Sequence, residues 1–479
     1  MVAFLSGEPA AQKQREHRRG SQAARWLNNK AILIFFSVLP VYLLTLNTLY
    51  ASDHPTSLLE LDYSTWTRHS FVLGAVGSFN PNSVDVFAYK GYYYSALAPG
   101  TSIFALPFAG IGFILDGGFS VFGNASFLAE FFIALVNSGG AAYLFLLARR
   151  FLNPSSALFV AYAYAFSTIA WPFATVFFQH DLSAFLTITG VYYSVVFVKN
   201  SSKGGTHYAP LAVAALSMGA AFTVDYVDGL FIAIVSIYVL TWVAKNHRSM
   251  SKALIALSPI MLGLGFIGFY NYSCFGSPFL TSEQAYQGSI NIFADFNTPL
   301  PYGVAVNLFT PYRGLLVYSP VLIAGFLGLL KARRRIGVRD TLFLGSLFLS
   351  VFLAYSAWTD LTGGLSFGPR FLIPSIPYLL IFAGFLFQGS RSKLLMYLLY
   401  LVGVFENGVG ALTTALGVNG DIWTSPLIVH NLPLFLHGSL DVWWLNRVGT
   451  LWFVPAIIIL LYAGGLPYLA LKLLKGDYT

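Results

Sequence analysis

The residues best suited to chemistry gather in and after one polar stretch, Leu61–Gly100, in a chain that is only 10% charged. It carries Asp62, Arg68, Asp85 and Lys90. Asp62, beside Tyr63, Trp66 and Arg68, has the chemistry of a general base, a metal ligand or a salt-bridge partner. On a helix Asp62 and Trp66 would share a face, with Arg68 off it. Asp85, after Asn80-Pro81-Asn82, has the same alternatives. Further along, His180 and Asp181 join an imidazole to an acid, and Asp225 and Asp228 stand at i,i+3, a spacing open to metal or acceptor binding. Arg313 (TPYRGLLVYSPV) and Arg370 (LSFGPRFLIPSIPYLL) each precede an apolar run, where a guanidinium can fork onto phosphate oxygens. The plainer readings are a solvated acid, an interfacial histidine and a lipid-headgroup anchor.

The elements that must position these groups are membrane helices. Hydrophobic residues make up 56% of the chain and its mean hydropathy is +0.68. Apolar runs of roughly 17–25 residues recur, which excludes a soluble multidomain protein. Candidate spans are about 31–50, 126–148, 156–178, 182–198, 208–225, 228–244, 253–272, 316–330, 341–357, 371–388, 394–416 and 449–471. If the run 101–115 lies along the surface, both ends are inside and the cations sort by the positive-inside rule. Arg68, Lys90, Arg313, Arg370 and Arg447 then remain outside with most of the acids. The expected organisation is a basic cytoplasmic tail (1–30) and one membrane unit (31–475), with outer loops 51–125, 273–315 and 417–448. The run Tyr92-Tyr93-Tyr94 reads as an interfacial belt, and the Pro99-Gly100 break starts the surface helix. The single cysteine, Cys274, excludes an internal disulfide. The net charge of +8 follows the ends of the spans, so it does not indicate nucleic acid.

In order, these motifs are an acid and TR in the first loop, D-x-x-x-x-x-G-x-Y-Y-S…A-P-G from Asp85, His180 after a span, and Asp225-Tyr226. YNYSCFGSPF, PYRGLLVYSPV and GGLSFGPRFLIPSIPYL follow. Over roughly residues 58–385 the combination resembles GT-C-fold glycosyltransferases, relatives of protein mannosyltransferases and lipid A aminoarabinose transferases. The resemblance implies an all-α polytopic fold, about 12 spans with surface-lying helices in a long first outer loop. It implies an enzyme moving a hexosyl or pentosyl group from a polyprenyl- or dolichyl-phosphate sugar, with inversion. The acceptor would be a protein, lipid or glycan at the outer face of a bacterial or archaeal plasma membrane. On that resemblance Asp62 and Asp85 are the catalytic candidates, and Arg313, Arg370, Lys90 and Arg68 face the donor phosphate. His180, Asp181, Asp225 and Tyr94 meet the substrate, and a divalent metal is left open. Ala96-Leu97 depart from the acid-Lys pair that many relatives carry before the Pro. A transporter or lipid flippase, or a non-catalytic partner in glycan assembly, is the alternative. The crowding of acids outside and the lack of two related halves favour the enzyme.

Overall fold

The computed structural model describes residues 29–47, 52–201, 207–288, 295–388, 392–415, 421–445 and 448–476. The basic segment before residue 29, Lys203, Arg391 and Arg447 lie outside the described residues. Apolar runs become helices because no water is available to the backbone in hydrocarbon, so each N–H and C=O must bond within its own segment. The first half of the chain forms α1 (Asn29–Leu44), α2 (Asp53–Arg68), α3 (Gly100–Asp116), α4 (Asn124–Ala148), α5 (Pro154–Phe166), α6 (Ala170–Phe173), α7 (Gln179–Ser201), α8 (Ala209–Val224) and α9 (Gly229–Lys245). The second half forms α10 (Met250–Leu257), α11 (Ile260–Phe275), α12 (Ser282–Gln287), α13 (Leu300–Phe309), α14 (Leu315–Tyr318) and α15 (Ile323–Ala357). It ends with α16 (Ile376–Phe387), α17 (Lys393–Leu412), α18 (Leu432–His437) and α19 (Phe453–Gly476).

By length and composition, 7 described helical segments can cross a membrane, or 8 if the 40° bent pair α10–α11 is one span. Five more apolar helices have 10–17 residues, α3 among them. The long segment α15 folds back at Gly337, whose φ of 81° and ψ of 169° interrupt the helix. The rings of Phe326 and Phe348 are 5.7 Å apart. Along one straight helix that separation would be about 33 Å. Its second arm falls on the expected run 341–357, whereas the first begins at Ile323 and covers only the second half of the expected run 316–330. The expected span 156–178 is corrected: α5 ends at Phe166, and only the four-residue α6 follows. Pro172, which lacks an amide hydrogen, sits inside that short turn.

Close backbone approach stitches the bundle. A Cβ on Gly263 of α11 would lie 1.9 Å from the Gly219 carbonyl oxygen of α8, so these helices cross through their glycines. Over the bundle end nearest the acids sits an element missed in the sequence reading, a three-stranded antiparallel sheet of β1 (Gly74–Ala75), β2 (Val86–Tyr89) and β3 (Tyr92–Ser95), in the order β1-β3-β2. Lys90 and Gly91 form its tight turn, both with positive φ (48° and 86°), the signature of a two-residue type I′ hairpin. The three tyrosines of the expected belt are thus a strand.

Candidate active site

Helix α2 builds the first wall. Asp53 in its first turn and Arg68 in its last complement the helix dipole. Polar side chains along α2 then hold the segment 82–85. Glu60 Oε1 accepts from the Asn82 backbone (2.8 Å) and side chain (3.0 Å). Asp53 Oδ1 accepts from the Val84 amide at 3.0 Å, and Ser57 Oγ donates to the Asp85 carbonyl at 3.1 Å. Asp85 is thereby fixed with its carboxylate towards α2, where His54 Nδ1 lies 3.5 Å from Oδ2. The Asp85 side chain keeps 28% exposure and His54 only 8%. Burial works against ionisation of Asp85, but the His54 hydrogen bond and charge, with Arg370 beyond, hold its carboxyl below the ordinary carboxylate value. Burial is the largest influence on His54 and lowers its pKa, partly offset by the hydrogen bonds to Asp85 and Gln179.

The second wall is the start of α7. Gln179 Oε1 bonds His54 Nε2, and His180 Nδ1 lies 3.9 Å from Asp225 Oδ2. Asp225 ends α8 and caps the next turn, taking the Val227 amide at 3.1 Å. Asp228 turns away, with Oδ2 accepting from Ser183 Oγ at 2.7 Å. The expected Asp225/Asp228 pair is therefore divided between two partners. Among the described residues no group of three His, Cys, Asp or Glu side chains could hold a metal ion.

Arg370 closes the site from the third side. Its guanidinium carbon lies over two rings, 4.9 Å from the Phe178 centroid and 5.0 Å from Phe371. Phe178 in turn stacks on His54 (4.7 Å, 11° between planes), and Phe371 on Tyr355 (4.8 Å, 8°). Cation–π contact of this kind contributes about 0.5–2 kcal/mol per ring and fixes the plane of the fork. Arg313 lies deeper, 2% exposed. Its Nε donates to the Thr362 carbonyl, Nη1 to those of Ser366 (2.5 Å) and Gly368 (3.0 Å), and Nη2 to that of Gly364 (2.5 Å). Burial lowers its pKa to about 10, so it remains cationic at neutral pH. The loop it grips leads directly into Arg370, and both arginines line a water-sized cavity of about 10 Å³ together with Tyr355.

The structure thus brings together Asp85, His180, Asp225 and Arg370, with Arg313 behind. It does not bring the other candidates there. Asp62 is fully buried in α2, and neither carboxylate oxygen has a hydrogen-bond partner among the described residues. Burial alone pushes its pKa well above the carboxylate range. Asp181, one helical step past His180, is also fully buried without such a partner. Arg68 Nη1 donates to the Leu73 carbonyl, and Tyr94 packs with Tyr270, Cys274 and Phe275. Lys90, at the hairpin tip, lies about 16 Å along the strand from Asp85. His54 and Gln179 were missed. For Gln179 the available signal was its place beside His180; His54 adjoins none of the candidates.

Residues 108–280 match the family described as dolichyl-phosphate-mannose-protein mannosyltransferase. The whole fold is similar to that of ArnT from Cupriavidus metallidurans bound to undecaprenyl phosphate. Identity is 15%, the alignment covers 92% of this chain and 75% of that one, and the TM-score is 0.57. For ArnT in the apo state the values are 14%, 94%, 76% and 0.52. Archaeal oligosaccharyltransferase AglB from Archaeoglobus fulgidus, in complex with an inhibitory peptide and a dolichol-phosphate, is a weaker likeness (12% identity, 92% of this chain, 56% of that chain, TM-score 0.49). No curated protein matches this chain by sequence. The fold is that of the GT-C glycosyltransferases. The matched stretch, residues 108–280, is about a third of the chain, and the likeness to the solved structures is one of fold.

Proposed function

We propose that this protein transfers a sugar from a polyprenyl- or dolichyl-phosphate donor to an acceptor at the outer membrane face, with inversion. The observation that carries this reading is the placement of an ionised, partly exposed Asp85 and the Arg370 guanidinium around the same His54–Phe178 stack. The similar ArnT structure with bound undecaprenyl phosphate supports a lipid-phosphate donor.

Asp85 takes the proton of the acceptor nucleophile as that atom bonds to the anomeric carbon. The bond from that carbon to the phosphate oxygen breaks, and the electron pair leaves with the lipid phosphate. Arg370 stabilises the charge developing there, an electrostatic role strengthened where water is excluded. His54 orients the Asp85 carboxylate, and the His180–Asp225 pair borders the same space. Arg313 acts through the loop it grips, placing Arg370 without meeting the donor. Asp62, the other catalytic candidate from the sequence, is too enclosed for this role.

The test is Asp85→Asn in purified protein supplied with radiolabelled polyprenyl-phosphate sugars. General-base assistance is worth about 10²–10⁴-fold, so kcat should fall by that factor with the fold intact. Undiminished transfer by the variant would remove Asp85 from the mechanism.

A further inference from the structure

On a different flank of the bundle, α1, α3, α4 and α7 enclose an apolar groove of about 620 Å³. Its lining combines small residues, Ala31, Gly139 and Ala142, with the rings of Phe35, Phe132 and Phe185. The volume lies within the range of about 300–1,000 Å³ typical of ligand sites. Along α4 it runs from Phe132 to Leu146, about 21 Å of helix, more than one leaflet's share of a hydrocarbon core about 30 Å thick. Tyr143 is the one lining residue with a polar group.

One end of the groove is cationic. Gly139, Tyr143, Leu146 and Arg150 follow one another at i, i+4, i+7 and i+11, a single face of α4 continued past its last turn. Tyr143 packs on Tyr192 (ring centroids 5.8 Å apart), and Arg150 lies over that same Tyr192 ring at 5.4 Å, with Nη2 donating to its hydroxyl at 3.3 Å. Lys199 Nζ donates to the Arg150 carbonyl at 2.7 Å and pairs with Asp340 at 3.6 Å. Lys30 immediately precedes the groove-lining Ala31. Arg150 and Lys199 thus stand together at this end, with Asp340 paired to Lys199. From His180 to Lys199, both on α7, the helix rises about 28 Å, so this cluster lies a membrane thickness away from the candidate active site.

We propose that the groove holds an acyl chain of an anionic phospholipid whose headgroup phosphate sits against Arg150, on the membrane face opposite the active site. An apolar trough selects a hydrocarbon chain, and the net positive end selects the charge of the headgroup. The site is separate from the donor and acceptor positions and does not depend on the sugar-transfer reading.

The test is native mass spectrometry of the full chain, purified through mixed phosphatidylglycerol and phosphatidylcholine and counted for retained lipid. Wild type should retain phosphatidylglycerol about tenfold over phosphatidylcholine, since each Lys or Arg near a membrane surface contributes roughly 1 kcal/mol to anionic-lipid attraction. Arg150→Gln should reduce that preference several-fold, and Arg150→Lys should keep most of it. Ala142→Trp, which fills the trough, should lose the retained lipid of both kinds. Leu146→Trp provides the same readout if Ala142→Trp does not fold. Equal retention of the two lipids by wild type overturns the proposal. So does an Arg150→Gln preference equal to wild type, or retention of added polyprenyl phosphate in place of either phospholipid.

Discussion

Replacing Arg313 by alanine separates two roles that a sequence leaves joined. Its guanidinium donates to four loop carbonyls, those of Thr362, Gly364, Ser366 and Gly368. Hydrogen bonds from a charged donor contribute about 1.5–3 kcal/mol each, but the four share one group and do not add. Removing one partner of a buried charged network costs about 3–5 kcal/mol, which is the better figure for the whole substitution. The loss falls on the segment 362–368. Its amides should therefore exchange hydrogen about 10²–10⁴-fold faster, at 1.4 kcal/mol per decade. Arg313→Lys keeps the charge with three donors on one atom and cannot span all four carbonyls, so its exchange should lie in between. Because the loop leads into Arg370, sugar transfer should fall together with the loss of protection. Arg370→Lys should depress transfer and leave exchange at 362–368 unchanged. The reasoning is refuted if Arg313→Ala raises the donor KM while exchange across 362–368 stays at the wild-type rate. Arg313 would then be touching the donor itself.

The buried Asp62 should behave as a neutral group. Its folded-state pKa is raised above the unfolded value, so its contribution to stability is present below the unfolded pKa and lost as pH rises through the folded one. Asp62→Asn should keep sugar transfer within a few-fold of wild type and lose less thermal stability between pH 4 and 8, read by unfolding temperature. Glu283 follows the same sign: burial, with Asp295, Asp85 and Asp225 nearby, raises its pKa to about 7, and stability should decline from the ordinary carboxylate range up through that value. Glu283→Gln should flatten that part of the stability–pH curve. At Gly337 a φ of 81° with ψ of 169° is a backbone region nearly exclusive to glycine, so Gly337→Ala should cost about 1–3 kcal/mol and lower the unfolding temperature.

Much of the architecture was legible because a bilayer imposes one rule on many residues. Helix α4, α7 and the second α15 arm fall near the apolar runs expected, since a span's length and composition are local properties. The break after Phe166 was not legible, because the run 156–178 stays apolar through it and Pro172 alone does not fix where a helix stops. Nor was the small sheet: its pairing Val86 to Ser95 and Tyr89 to Tyr92 needs a type I′ turn at Lys90-Gly91, and the tyrosines fit an interfacial belt equally well.

The candidate site divides along the same line. The sequence by itself determined the membrane class, the supply of acids and cations, and the choice of Asp85, His180, Asp225 and Arg370 as groups worth following. Only the tertiary structure decided which of them meet. Asp62 and Asp85 are alike as sequence features, two acids in one polar stretch. Packing encloses the first with no partner, and the second is held at the site by Asn82, Val84 and Ser57 contacts across α2. Likewise Arg313 and Arg370 both precede apolar runs, yet one is buried among carbonyls and the other lies between two aromatic rings. The physical reason is that residue type and spacing set what a side chain can do, whereas desolvation and neighbours from distant segments set what it does.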